Sequence, residues 1–145
     1  MASGCGSGYF PVAPGTAGTV AAIPLYLALA PLPAALSLLT ITAFTLLAVY
    51  ASQEAEVIFG RKDAPCIVID EWAGLLWTML FIPPTLVTVL SGVALFRCFD
   101  IVKPFPVRFL QDRLPGGYGV VMDDVAAGIY ANIILHLLTR GGIVS

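Results

Sequence analysis

Five of the nine acidic residues fall where an apolar run begins or ends. Asp70 and Glu71 are adjacent in DAPCIVIDEWAG, just ahead of an uncharged stretch. Asp100 lies in FRCFDIVKPFP, where Arg97, Asp100 and Lys103 follow one another at i, i+3, i+6 spacing. On a helix these three point roughly to one face. Asp123 and Asp124 form a second adjacent pair in LPGGYGVVMDDVAAG. Like charges brought together repel and raise one another's pKa unless something positive sits among them. Carboxylate oxygens without histidine or cysteine partners suit a hard cation, and Mg²⁺ commonly takes one or two carboxylates plus a substrate phosphate. Asp70, Glu71, Asp100, Asp123 and Asp124 are therefore candidate ligands for one or two Mg²⁺ ions, with Asp63 as a supporting acid. Arg97 and Lys103 are candidate partners for the phosphate charge. Plainer readings stand beside these. An acid at a helix start gains ~0.3–1 kcal/mol from the macrodipole, and the Arg97–Asp100–Lys103 face could simply be ion-paired.

A glycine-rich opening, GCGSGYFPVAPGTAGT over residues 4–19, is the third polar feature. Glycines let backbone N–H groups converge, and such a concavity at a helix N-terminus binds phosphate. Gly6, Ser7, Gly15 and Thr16 are the candidate phosphate contacts. The alternative is an entry segment that merely caps the first helix at Thr16 or Thr19. Gly116, Gly117 and Gly119 read as a turn, with Asp123 and Asp124 opening the helix that follows.

Other hydrolytic chemistries lack their residues. None of Cys5, Cys66 and Cys98 has an arginine six positions later, and no D-x-D-x-[TV] run offers an aspartyl nucleophile. His136 is the single histidine and lies in an apolar run, which fits a structural role and excludes paired-histidine phosphatases. No basic run suggests nucleic acid as a partner.

The elements that must position these residues are apolar. The 145-residue chain is 59% hydrophobic and 11% charged, against roughly 25% charged in ordinary domains, with a mean hydropathy of +0.94. This much apolar surface cannot be hidden inside one small domain, so part of it must face lipid. Charges are absent from residues 1–53, 72–96 and 125–139. Prolines at 31, 33, 83 and 84 interrupt these stretches, and crossing ~30 Å of hydrocarbon takes about 20 helical residues. Only residues 34–52 approach that length alone. The stretch 72–96 reads as a hairpin rather than one kinked span, which brings Asp70-Glu71 and Arg97–Asp100 to the same side. A hairpin of 17–30 and 34–52 likewise returns Glu54 to the side of the glycine-rich opening. The expected fold is a single all-α domain over 1–145. It is a compact integral-membrane bundle of about six helices near 17–30, 34–60, 69–82, 85–101, 105–113 and 122–140, with short, re-entrant hairpin helices. Polar residues at membrane helix ends are costly enough to indicate function. The residues alone thus imply a metal-dependent site for a phosphate-bearing lipid.

Four segments, GSGYFPVAPGTAGT (6–19), KDAPCIVIDEWAG (62–74), FRCFDIVKPFP (96–106) and GGYGVVMDDVAAG (116–128), resemble in order the signature blocks of phosphatidylglycerophosphatase A. The resemblance implies a Mg²⁺-dependent phosphatase that converts phosphatidylglycerophosphate to phosphatidylglycerol in a bacterial inner (cytoplasmic) membrane, with its site facing the cytoplasm. Glu71, Asp70, Asp100 and Asp124 are the expected catalytic carboxylates, and Glu71 the candidate general base. Two alternatives remain at this level. One is a phosphatase of another lipid phosphomonoester such as phosphatidic acid. The other is a non-enzymatic membrane carrier, which would not need the glycine-rich segments.

Overall fold

A computed structural model describes residues 2–61 and 64–144; Asp63 lies outside the described residues. A 3₁₀ helix, Gly4–Tyr9, is followed by seven α-helices. These are α1 (Pro14–Ala21), α2 (Ile23–Leu29), α3 (Ala34–Phe59), α4 (Ile69–Thr78), α5 (Leu86–Val102), α6 (Val107–Arg113) and α7 (Gly116–Arg140). The all-helical expectation holds among the described residues, with two corrections.

The first concerns 17–30. This segment begins earlier, at Pro14, whose missing N–H costs nothing at a first helical position. It is then divided at Ala22, because Pro24 enters as one of the first residues of α2 and cannot donate back into α1. The second concerns Gly116, Gly117 and Gly119. They are the first turn of α7 rather than a turn ahead of it, and Asp123 and Asp124 sit about two turns inside the helix. The reason is packing. A Cβ on Gly117 would strike the Val49 carbonyl oxygen, and one on Gly119 would meet the Leu114 carbonyl at 2.5 Å. The glycines let α7 start flush against α3 and the end of α6.

Proline and threonine set the hairpin between α4 and α5. After Thr78 the chain leaves the helix, and Thr85 and Thr88 close a reciprocal capping box that starts α5. α5 stops at Val102, with Lys103 left-handed (φ 46°) immediately before Pro104. The hairpin expected from residues 72–96 is therefore formed, and α4 and α5 both pack on α7.

α7 is the centre of the bundle, touched by α3, α4, α5 and α6. It also crosses α4 closely, where a Cβ on Gly128 would land on the Gly74 carbonyl oxygen. The C-terminal carbonyls of the short α4 are not left open. Asn132 Nδ2 donates to the Thr78 and Leu80 carbonyls at 2.8 and 2.9 Å, and His136 Nε2 stands 3.3 Å from the latter. Tyr26 donates its hydroxyl to the Ile82 carbonyl at 2.9 Å. Such partners satisfy carbonyls that a helix end otherwise leaves open. His136 thus has the structural place expected of it.

α3 and α7 are long and apolar enough to cross a membrane, at 26 and 25 residues, or roughly 39 and 38 Å of helix. Large apolar side chains on the outside of α3, including Leu39, Leu46 and Tyr50, are exposed, as are Leu86 and Leu90 on α5 and Leu137 on α7. A face of this kind in a protein of this size belongs against lipid. Asp70, Glu71, Arg97, Asp100, Lys103, Asp123 and Asp124 gather elsewhere, in one cluster.

Candidate active site

α4 delivers its two acids from its first turn. Val68 and Ile69 donate their N–H groups to the Ala2 carbonyl, which ties the start of α4 to the N-terminal segment. Asp70 is 6% exposed, and Glu71 lies beside it. α7 contributes Asp123 and Asp124, 2% and 4% exposed. One carboxylate oxygen each from Asp70, Glu71 and Asp124 lies within 4.8 Å of the others. These three are the part of the expected ligand set that converges on a common point.

The other two acids line the same space but are engaged by cations. Arg97 donates to Asp100 Oδ2 at 2.5 Å, and its guanidinium also stands 3.8 Å from Glu71 Oε1. Lys103, turned inward by its left-handed backbone, donates to Asp123 Oδ2 at 2.6 Å and lies 3.9 Å from Asp100. A cavity of about 250 Å³ is bounded by Asp70, Glu71, Asp100, Ile101, Lys103, Val120, Asp123 and Asp124. Five carboxylates thus meet one lysine in the lining, with Arg97 at the edge.

The electrostatics follow from this crowding. Burial pushes the Glu71 carboxyl above its ordinary value and the Asp100 charge adds to this, against the lowering effects of an Asp70 hydrogen bond and Arg97. Burial pulls the Lys103 ammonium down, but the Asp123 carboxylate, with Asp100 and Asp124 behind it, outweighs that and raises it. Glu71 Oε2 and Arg97 Nε are both buried without a hydrogen-bond partner. A buried carboxylate oxygen left unsatisfied is costly, and a hard cation among three carboxylates would satisfy it. The donor set, all oxygen, fits Mg²⁺.

The glycine-rich opening divides into two parts. Gly15, in the first turn of α1, is where a Cβ would strike Glu71 Oε1 and come within 2.9 Å of the Arg97 guanidinium. Thr16 follows it, exposed, at an N-terminus that no side chain caps. The structure therefore brings Gly15 and the start of α1 to the acids. Gly6 and Ser7 do not line the acidic cavity. The Gly6 N–H donates to the Ser3 carbonyl and the Ser7 hydroxyl to the Gly4 carbonyl, within the 3₁₀ helix itself. Gly8 and Gly18 serve close packing, against the Cys66 backbone and Val68. Most of this segment positions the start of α4, and its end faces the site.

Two residues of the site's framework were not given a role by the sequence, Gly74 and Gly128. They lie four positions after Asp70 and Asp124, so each acid and its glycine share a helix face one turn apart. That repeated spacing was the available signal.

The chain resembles known proteins over nearly its whole length. It is 39% identical to a phosphatidylglycerophosphatase A of Haemophilus influenzae, with 95% of this chain and 86% of the relative aligned. It is 34% identical to the Escherichia coli K12 protein of the same name, over 95% of this chain and 81% of that one. A Bacteroides thetaiotaomicron protein, provisionally assigned as a phosphatidylinositol-3-phosphatase, is 39% identical over 93% of this chain and 89% of its own length. No solved structure matches. The profile of the family described as Phosphatidylglycerophosphatase A matches residues 1–139, a span that includes all four motifs and every carboxylate of the cavity, and the chain belongs to that family.

Proposed function

We propose that this protein is a Mg²⁺-dependent lipid phosphatase. It hydrolyses the terminal phosphomonoester of phosphatidylglycerophosphate to phosphatidylglycerol and phosphate, at the cytoplasmic face of a bacterial inner membrane. The observation that carries the reading is the convergence of Asp70, Glu71 and Asp124 within 4.8 Å. The cavity they share also holds Lys103 and has Arg97 at its edge, at one end of a bundle with lipid-facing sides. Membership of the family and the names of the Haemophilus and Escherichia relatives support the substrate.

Asp70, Glu71 and Asp124 are the residues that would hold Mg²⁺. When bound, the ion supplies charge on the phosphoryl oxygens and a lowered pKa for the attacking water. Glu71 would accept that water's proton through a carboxylate oxygen not given to the ion. As the water oxygen bonds to phosphorus, the bond from phosphorus to the glycerol oxygen breaks; that oxygen takes a proton from solvent, and Glu71 later returns to solvent the proton it accepted. Arg97 and Lys103 shift from their carboxylates toward the phosphate charge. The backbone N–H groups at the start of α1, beside Gly15, add neutral donors.

The Bacteroides relative favours a second reading in which the headgroup is an inositol phosphate. Phosphate release from purified protein in detergent decides between them. It is measured with phosphatidylglycerophosphate, phosphatidylinositol 3-phosphate and phosphatidic acid, each with and without Mg²⁺. Metal-dependent release selective for the first is expected. Selective turnover of another lipid removes the substrate assignment and keeps the site, and release from none by folded protein overturns the phosphatase reading.

A further inference from the structure

Beside the mouth of the acidic cavity lies a surface that the hydrolytic site does not use. Ile101, which lines the cavity, is 71% exposed and Val102 69%. The chain then turns at Phe105, 79% exposed, into α6, where Phe109 is 49% exposed. These rings are not loose. Phe99 and Tyr130 pack at 5.7 Å, the Tyr130 hydroxyl donates to the Phe105 carbonyl at 2.9 Å, and Phe105 and Phe109 pack at 6.0 Å. Val107 is fully buried beneath them and anchors α6 to the bundle. Arg113 lies over the Phe109 ring at 5.5 Å, and Arg108 is exposed, in a loose 4.0 Å pair with Asp112. The result is a short element held rigidly across the end of the bundle, with an apolar strip continuous with the exposed residues of α5 and two arginines beside it.

We propose that the Phe105–Pro106 turn and α6 form a docking face for the anionic headgroups of the leaflet in which the protein sits, next to the cavity mouth. Aromatic side chains favour the headgroup level, and arginines there gain from an anionic surface. An exposed phenylalanine pair in water would have no such compensation. Two arginines against one aspartate give the strip the sign that complements an anionic lipid surface. The face would hold the cavity mouth at the level where a lipid phosphate lies. In that last respect the inference rests on the lipid-phosphatase reading, whereas docking itself does not.

The test uses the full chain in nanodiscs of phosphatidylcholine, with and without phosphatidylserine, an anionic lipid lacking a phosphomonoester. Amide hydrogen exchange is followed for the segment 105–114. The wild type should exchange roughly five- to 25-fold more slowly in the anionic discs, about fivefold per arginine. Arg108→Gln with Arg113→Gln should abolish the difference, and Phe105→Ser with Phe109→Ser should speed exchange in both compositions. Equal exchange of the wild type in the two discs, or undiminished slowing in the arginine variant, overturns the proposal. Turnover of a short-chain, dispersed substrate in neutral detergent separates the two claims. Both variants should match the wild type there. Docking that fails while this turnover persists leaves the phosphatase standing, and its absence in the wild type removes the phosphatase and not the docking face.

Discussion

Gly128→Ala tests whether the crossing of α4 and α7 sets the spacing of the acids. The added methyl would land on the Gly74 carbonyl oxygen, with the Gly74 carbonyl carbon and Trp77 Cβ both at 3.2 Å. The atom struck is backbone, so no rotamer change relieves the contact, and α4 must withdraw. Restoring ordinary van der Waals distance needs a displacement on the order of 1 Å in a close-packed interior. Overpacking of this kind costs about 1–3 kcal/mol, and alanine's better helix propensity returns up to about 1 kcal/mol. Thermal stability should therefore fall only modestly. Activity should fall far more, because Asp70 and Asp124 sit one turn above the crossing and a misplacement of ~1 Å can cost ~10²-fold in rate. The assay pairs phosphate release with thermal unfolding in detergent. The control is Ile133→Ala, at a position 52% exposed on the outer side of α7, which should change neither. Gly128→Ala with activity within about twofold of the wild type would refute the claim that this crossing positions the carboxylates.

Three further outcomes follow from the site. Glu71→Gln and Asp124→Asn should each abolish turnover while leaving a folded, extractable protein, seen by size-exclusion and thermal unfolding; full activity in both sinks the carboxylate proposal. Lys103→Ala should raise KM for the lipid, lower kcat, or both. It should also lower the unfolding temperature, because Asp123 is left buried without the cation at 2.6 Å; an unchanged unfolding temperature would show that the pair carries no stability. Mg²⁺ should raise the unfolding temperature of the wild type, and chelation should reverse this. The sign with pH is fixed by Glu71, whose carboxyl is raised by burial. Protons and metal compete for it, so the Mg²⁺ effect should be full above its titration and shrink as pH falls through it. A Mg²⁺ shift that is independent of pH, or that survives in Asp124→Asn, would place the ion elsewhere.

Much of the fold was legible because charge is expensive in lipid. The uncharged stretches marked the apolar helices, and the prolines at 83 and 84 marked a hairpin that returns Arg97 and Asp100 to Glu71. The i, i+3 pair of Arg97 and Asp100 is local and could be read from spacing. Lys103 and Asp123 are 20 residues apart, so their pairing depends on how α5 and α7 pack and had no local signal. Glycine misled for a physical reason. Its lack of a Cβ serves either backbone freedom or close approach, and sequence does not distinguish the two. Read as freedom, GGYG became a turn; that freedom is used at Gly116, whose φ is +53°, but at Gly117 and Gly119 the Val49 and Leu114 carbonyls show close approach in a helix. Gly8 and Gly18, in the glycine-rich opening, likewise serve close approach, against Cys66 and Val68.

The arrangement of charge bears on why a cation belongs in the mechanism at all. Each base of the site is already matched to an acid, Arg97 to Asp100 and Lys103 to Asp123. The five carboxylates of the site still outnumber its two bases by three, and Asp70, Glu71 and Asp124 are the ones whose oxygens converge. A phosphomonoester approaching such a cavity meets like charge in a partly desolvated space, where repulsion is stronger than in water. Arg97 and Lys103 cannot offset both the three acids and the incoming phosphate. A site built to exclude anions would need no arginine or lysine in it, and a site built only to bind anions would need no triple carboxylate. Both features together make sense if a divalent cation held by Asp70, Glu71 and Asp124 turns the cavity from repelling phosphate to attracting it. The two bases would then have a charge to move toward, and the proposed metal dependence would rest on the charge count of the cavity as well as on the chemistry of water activation.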